Sequence, residues 1–158
     1  MENIFKSILK EKVVIVGIGN ILRGDDGLGP ELIRMLKGSF PQEGRFLLLD
    51  AGEAPENYLE KIVQYQPGTI LLVDALDFAE PPGSIRIIDR SELQEVGFST
   101  HNASIRLTMN YLKSRAKCDV LLLGIQPANL GMGSSLSEPI KLALSRVEEN
   151  LLKCTNSL

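Results

Sequence analysis

Runs of β-branched and apolar residues alternate along this chain with segments in which apolar residues recur every three or four positions. The runs predict five strands, at residues 12–17, 45–50, 69–74, 84–89 and 119–124. The first and third runs are apolar at nearly every position, which is typical of strands that are buried on both faces. The pattern therefore predicts a sheet with helices on either side.

Helical spacing of apolar residues fills most of the segments between these strands. Helices are predicted through residues 28–36, from Pro55 onward, through residues 105–112 and from Ser137 to about residue 151. This alternation implies right-handed crossovers and an α/β fold of three layers, α/β/α, around a five-stranded, mainly parallel sheet. The connection between the third and fourth strands is too short for a helical crossover. We therefore expect strand four to run antiparallel to strand three, at or near an edge, which makes the sheet mixed.

Composition narrows the class of protein. With 158 residues, 44% of them hydrophobic, the chain fits a single domain over residues 1–158 with a core at about 10–153. A net charge of −3 argues against a nucleic-acid partner held by a basic face. Two distant cysteines exclude a disulfide scaffold. The sequence has no apolar run of the ~18 residues that a membrane span needs and no secretory pattern, so we expect a cytoplasmic protein without a membrane segment.

Three side chains that could bind a metal are predicted to lie at one edge of the sheet. Asp26 follows the first strand, Asp74 ends the third, and His101, the only histidine, precedes the helix that leads into the fifth. Ligands of open α/β sheets bind beyond the carboxyl ends of the strands, where these three residues should meet. Two carboxylates and a neutral imidazole suit a divalent metal such as Ni, Zn, Mn or Fe. Three protein ligands would leave positions open for a substrate.

The loop after the first strand, Gly-Ile-Gly-Asn-Ile-Leu-Arg-Gly-Asp-Asp-Gly at residues 17–27, allows other interpretations. It imitates a dinucleotide fingerprint, but Leu22 occupies the third glycine position and Asp50 lies too far along the chain for the ribose-binding acid. Two adjacent carboxylates would also repel a pyrophosphate. An ordinary helix cap explains one aspartate, but not both beside several glycines.

Two further segments should lie at the same edge. Gln126, after the fifth strand, could bind a substrate backbone or stabilise the turn before Pro127, and the sequence leaves both roles open. The glycine-rich segment 128–135 could form a flap over the site, although an ordinary surface loop is the default interpretation.

Taken together, four motifs resemble the maturation endopeptidases of [NiFe] hydrogenases. They are the loop 17–30, Val-Asp-Ala-Leu-Asp at 73–77, Ser-Thr-His-Asn at 99–102 and Gly-Ile-Gln-Pro at 124–127. They occur in order over residues 12 to 152, and the last two are most similar to the branch that processes the hydrogenase of formate hydrogenlyase. The resemblance implies a central mixed sheet between helices, a phosphorylase/hydrolase-like fold.

The resemblance also implies an activity, namely removal of a C-terminal peptide from the nickel-loaded large-subunit precursor of a [NiFe] hydrogenase. The family's metal-contacting and catalytic positions fall on Asp26, Asp74 and His101. The nickel would be supplied by the precursor, and other divalent metals could occupy the site. We expect Gly24, Asp25, Gly27 and Gln126 to contact the substrate.

Three mechanisms are compatible with these residues. The three ligands could recognise nickel seated in the precursor, a bound metal could activate water or polarise the carbonyl, or Asp25 or Asp26 could act as general base. We favour nickel recognition, with hydrolysis aided by the same cluster. The alternative functions are a nickel-sensing module or a dinucleotide-binding module without protease activity.

Overall fold

The computed structural model describes residues 1–41, 44–96 and 100–155, and for residues 100 and 101 it describes the backbone alone. The strands are β1 (Val13–Ile18), β2 (Phe46–Gly52), β3 (Thr69–Ala75), β4 (Ile85–Ile88) and β5 (Asp119–Ile125). The helices are α1 (Glu2–Ile8), α2 (Leu28–Ser39), α3 (Leu59–Tyr65), α4 (Arg90–Glu95), α5 (Thr100–Ala116) and α6 (Glu138–Thr155). Short 3₁₀ turns, Gly24–Gly27 and Pro55–Tyr58, lead into α2 and α3. The five predicted strands are confirmed to within two residues at their ends.

The sheet has the strand order β2-β1-β3-β5-β4. Strands β2, β1, β3 and β5 are parallel, and β4 is antiparallel to β5 at the edge. The predicted direction and edge position of β4 are confirmed. Its neighbour, however, is β5 and not β3. The connection 76–84 is long enough to cross the ~10 Å that spans two strand spacings, which leaves a place for β5 between them.

Helices cover both faces of the sheet and confirm the three-layer arrangement. Side chains of successive strand residues point to opposite faces, so each central strand contributes to two separate cores. Val13, Ile15, Leu71 and Val73 face the layer of α1, α2 and α6. Val14, Val16, Ile70 and Leu72 face the layer of α3, α4 and α5. Every residue of β1 and β3 is buried, as the continuous apolar runs predicted.

Two helices were not expected from the sequence. Helix α1 lies before the predicted start of the core near residue 10, yet Phe5 is fully buried and belongs to the core cluster. Helix α4 begins with a capping box, in which the Asp89 side chain accepts from Ser91 and Glu92 backbone N–H groups while Glu92 accepts from the Asp89 N–H. Within the described parts of the chain, no helix is both long and apolar enough to cross a membrane.

Close contact between α2 and the end of β1 positions the site loop. A Cβ atom at Gly29 would lie 2.4 Å from the Ile18 carbonyl oxygen and 2.6 Å from that of Val73. Only glycine therefore allows α2 to begin this close to the centre of the sheet. The loop 19–27 is consequently held at the carboxyl edge, over the ends of β1 and β3.

We predict that Gly29→Ala lowers the free energy of unfolding by about 3 kcal/mol, because the added methyl group overpacks against fixed backbone. The matched control is Gly38→Ala in the same helix, where a Cβ would meet nothing within 4 Å. We expect that variant to be about 0.5 kcal/mol more stable than the native chain. Urea unfolding measures both, and equal stability of the two variants would contradict the close contact.

Candidate active site

The carboxyl ends of the parallel strands open onto a cleft of about 510 Å³. Ile18, Glu53, Ala75 and Pro127 line it from the ends of β1, β2, β3 and β5. The N-terminal turns of α5 form another part of the wall through Asn102, Ser104 and Ile105. The cleft therefore lies where the sheet topology places ligand sites in open α/β folds.

Asp26 lies on the wall of this cleft and is half-buried. Its Oδ2 atom accepts a hydrogen bond of 2.9 Å from the Asn20 backbone N–H. This bond fixes the carboxylate across the loop that follows β1. A half-buried, oriented carboxylate at the cleft can bind a cation or accept a proton from a substrate or water.

Asp74 lies beside the cleft, at the end of β3, but is not one of the residues that line it. It is fully buried as the penultimate residue of β3, directly opposite Gly124 of β5, and the next residue, Ala75, lines the cleft. Strand alternation places the Asp74 side chain on the same face as Leu72, which is the face covered by α5. A carboxylate is thus directed towards the layer that contains the predicted histidine.

His101 lies in the first turn of α5, at the cleft, but its side chain lies outside the described residues. The structure therefore brings Asp26, Asp74 and the backbone of His101 to one end of the sheet. Among the described side chains, no three His, Cys, Asp or Glu residues form a group that could hold a metal ion. The His101 side chain is not one of the described side chains.

Asp25, the neighbour of Asp26, is directed into the protein and is fully buried. Its Oδ2 accepts hydrogen bonds from Ala128 N at 2.8 Å, Asn129 N at 3.0 Å and Ser137 Oγ at 2.8 Å. Its Oδ1 accepts one from Ser137 N at 2.7 Å. Burial by itself raises the pKa of the Asp25 carboxyl, but the hydrogen bonds from Ser137, Asn129 and Ala128 outweigh burial and hold that pKa below its ordinary value.

These contacts argue against the two roles expected of Asp25, general base and substrate contact. A carboxylate with four donors and a lowered pKa is a poor general base. Both of its oxygens accept hydrogen bonds from the protein, so the carboxylate is engaged and not available to a substrate. Its position instead fastens the loop that carries Asp26 to the segment between β5 and α6.

Gln126 is also engaged within the protein. Its Oε1 accepts from Phe78 N at 2.8 Å and Glu80 N at 3.4 Å, and its Nε2 donates to Asp77 Oδ1 at 3.1 Å. Of the two roles that the sequence left open, these contacts favour stabilising the adjacent loops over binding a substrate.

The two glycines expected to contact substrate are tightly packed by the protein itself. Gly24 has φ +55°, and a Cβ there would lie 2.5 Å from the Asn129 carbonyl oxygen. A Cβ at Gly27 would lie 2.9 Å from Ile21 Cα. Close approach between parts of the protein thus accounts for the glycines at both positions.

Three charged residues at the cleft were not among the predicted site residues: Arg23, Glu53 and Asp77. Glu53 and Asp77 each follow the end of a parallel strand, so the rule that pointed to Asp26 and Asp74 could have found them. The Ala79 backbone N–H and then the Gln126 amide hold the pKa of Asp77 below its usual value, so this side chain adds negative charge to the cleft.

Comparison with known proteins finds hydrogenase maturation proteases both by sequence and by structure. The HycI family model, described as hydrogenase maturation protease, matches residues 30–154. The hydrogenase 3 maturation protease of Escherichia coli K12 is 38% identical over 142 residues, which cover 87% of each chain. A putative hydrogenase maturation protease of Methanocaldococcus jannaschii is 30% identical over 94% of this chain and 90% of its own. The crystal structure of the [NiFe] hydrogenase maturation protease HycI from Thermococcus kodakarensis KOD1 superposes with a TM-score of 0.86 at 34% identity, covering 97% and 96% of the two chains.

We predict that Asp25→Asn costs about 3 kcal/mol of unfolding free energy at pH 7, since an amide nitrogen would face donors in place of an acceptor. Because the folded pKa of Asp25 is lowered, its contribution is present above the unfolded pKa of ~3.9 and is lost as the pH falls through the lower folded value. The difference between the native chain and the variant should therefore shrink below about pH 4. Urea unfolding from pH 7 to pH 3 measures it.

The exposed Asp50, which accepts a single backbone hydrogen bond from Gly52, provides the control for this measurement. Asp50→Asn should change stability by less than about 0.5 kcal/mol. A constant difference between the native chain and Asp25→Asn across the whole pH range would contradict the ionised state assigned to Asp25.

Proposed function

This chain belongs to the hydrogenase maturation protease family, and we propose that it removes a C-terminal peptide from the large-subunit precursor of a [NiFe] hydrogenase after nickel insertion. The observation that carries this proposal is the cleft at the carboxyl edge of the sheet, which Asp26 and the N-terminal turns of α5 line and beside which Asp74 is buried at the end of β3. The matches over nearly the whole chain support the same activity.

Nickel enters this proposal as part of the substrate. Asp26 and Asp74 supply two carboxylates from adjacent strand ends, and His101 supplies an imidazole from the helix that covers the Asp74 face. Carboxylate and imidazole ligands suit a borderline metal such as nickel, and three of them leave coordination positions for groups of the precursor. Contact with the seated metal would report that loading is complete and hold the adjacent peptide in the cleft.

Asp26 is the stronger candidate for moving a proton. It shares the loop with Asp25, but it lies at the cleft and accepts one protein hydrogen bond at Oδ2, whereas Asp25 accepts four. No described residue donates a hydrogen bond to the Asp26 Oδ1 atom. That oxygen can accept a proton from an attacking water, or ligate the metal that polarises the scissile carbonyl.

We further propose a cytoplasmic location. Both cysteines, Cys118 and Cys154, are free and buried, which suits a reducing compartment. Burial raises the pKa of both thiols, so neither has the lowered pKa of a nucleophilic cysteine.

The test is mass spectrometry of nickel-loaded and nickel-free precursor after incubation with the native chain. We expect loss of a C-terminal peptide from the loaded precursor only. Asp26→Asn, Asp74→Asn and His101→Ala should each slow this cleavage at least 100-fold, because each removes a ligand or a proton acceptor from the site.

Asp50→Asn, which changes an exposed carboxylate outside the cleft lining, should cleave at the native rate. Binding of the loaded precursor without any loss of mass would support the nickel-sensing alternative. Equal cleavage of loaded and nickel-free precursor would contradict recognition of nickel.

A further inference from the structure

Large apolar side chains are exposed at one side of the cleft. The described residues expose eight such side chains, and four of them, Ile21, Leu22, Leu130 and Met132, lie on the two segments that border the cleft beside Asp26. We call these four residues the apolar lip. Met132 is 72% exposed and Ile21 70%, so most of each apolar side chain is in contact with water. Their clustering indicates a surface that a partner covers.

The two segments of the lip are fastened to each other. The Gly133 N–H donates to the Leu22 carbonyl at 2.8 Å, and the Asp25 N–H donates to the Asn129 carbonyl at 2.8 Å. The buried Asp25 carboxylate adds bonds to Ala128, Asn129 and Ser137. The segment expected as a possible flap is thus tied down at several points. A surface that is organised before binding loses little conformational entropy when a partner docks.

The lip is continuous with the cleft. Leu130 belongs to both, and Arg23, which follows Leu22 directly, lines the cleft next to Asp26. Residues 127–137 include no charged side chain, in a chain of which 23% of residues are charged. A peptide that extends from the cleft over Leu130 would therefore meet a segment that carries exposed apolar side chains and no charge of its own.

We infer that the apolar lip docks an apolar stretch of the precursor chain next to the scissile bond. This inference rests on the proposed function, because the cleft that the lip borders is the one that the precursor's peptide enters. Apolar side chains of the precursor would cover Leu22, Leu130 and Met132 and hold the adjoining peptide against Asp26. The lip then contributes to the affinity for the precursor, while the residues of the cleft carry the chemistry.

The test compares the double variant Leu22→Ser/Met132→Ser with a matched control, Leu107→Ser/Leu142→Ser. The control residues are 69% and 66% exposed and lie on α5 and α6, outside the cleft lining. Cleavage of the nickel-loaded precursor is followed by mass spectrometry at several precursor concentrations. We expect the lip variant to raise KM at least tenfold with kcat within twofold of native, because the loss is in binding. The control should match the native chain in both constants.

Other outcomes separate the two proposals. An unchanged KM, or an equal rise in the control, overturns docking at the lip while native cleavage leaves the proposed function intact. If the native chain cleaves nothing, the proposed function fails. Docking at the lip is then tested separately by measuring binding of the loaded precursor by interferometry. Tenfold weaker binding by the lip variant, but not by the control, supports docking at the lip, and equal binding by the lip variant and the native chain overturns it. A native dimer that the lip variant converts to a monomer in light scattering would make the lip a self-interface and overturn the proposal.

Discussion

One buried carboxylate organises the edge of the sheet on which the site is built. Asp25 is removed from water, a costly state for a charge unless donors replace the lost solvation. Four donors do so, and all of them come from residues more than 100 positions further along the chain. The loop after β1 and the segment before α6 are therefore held together by a contact that neither could form alone. The cleft and the apolar lip both depend on this arrangement.

The neighbouring aspartates show how local geometry separates two roles. In a 3₁₀ turn, successive residues are about 120° apart, so adjacent side chains point in different directions. Within Gly24–Gly27, Asp25 turns inward and Asp26 turns towards the cleft. One carboxylate is engaged by the protein, whereas the other keeps an oxygen available for a substrate. The close packing at Gly29 places this turn over the sheet.

Sequence patterns predicted the strands, the layered architecture and the edge at which Asp26 and Asp74 lie. They did so because burial on both faces leaves a continuous apolar run, and the order of elements constrains parallel connections. Helix α4 was missed because its six residues are too short to show a helical period. The pairing of β4 with β5 was not predicted, because a connection of this length can reach either the adjacent strand or the strand two positions away.

The roles of Asp25 and Gln126 could not be read from the sequence, because a carboxylate or an amide in a loop has the same appearance whether it faces a substrate or the interior. By itself the sequence determined which residues lie at the carboxyl edge of the sheet, because each of them directly follows or precedes a strand or helix that its own local pattern predicts. Only the tertiary structure decided which of them are engaged by the protein and which face the cleft. That decision depends on donors such as Ala128 and Ser137, distant in sequence, which folding alone brings to Asp25.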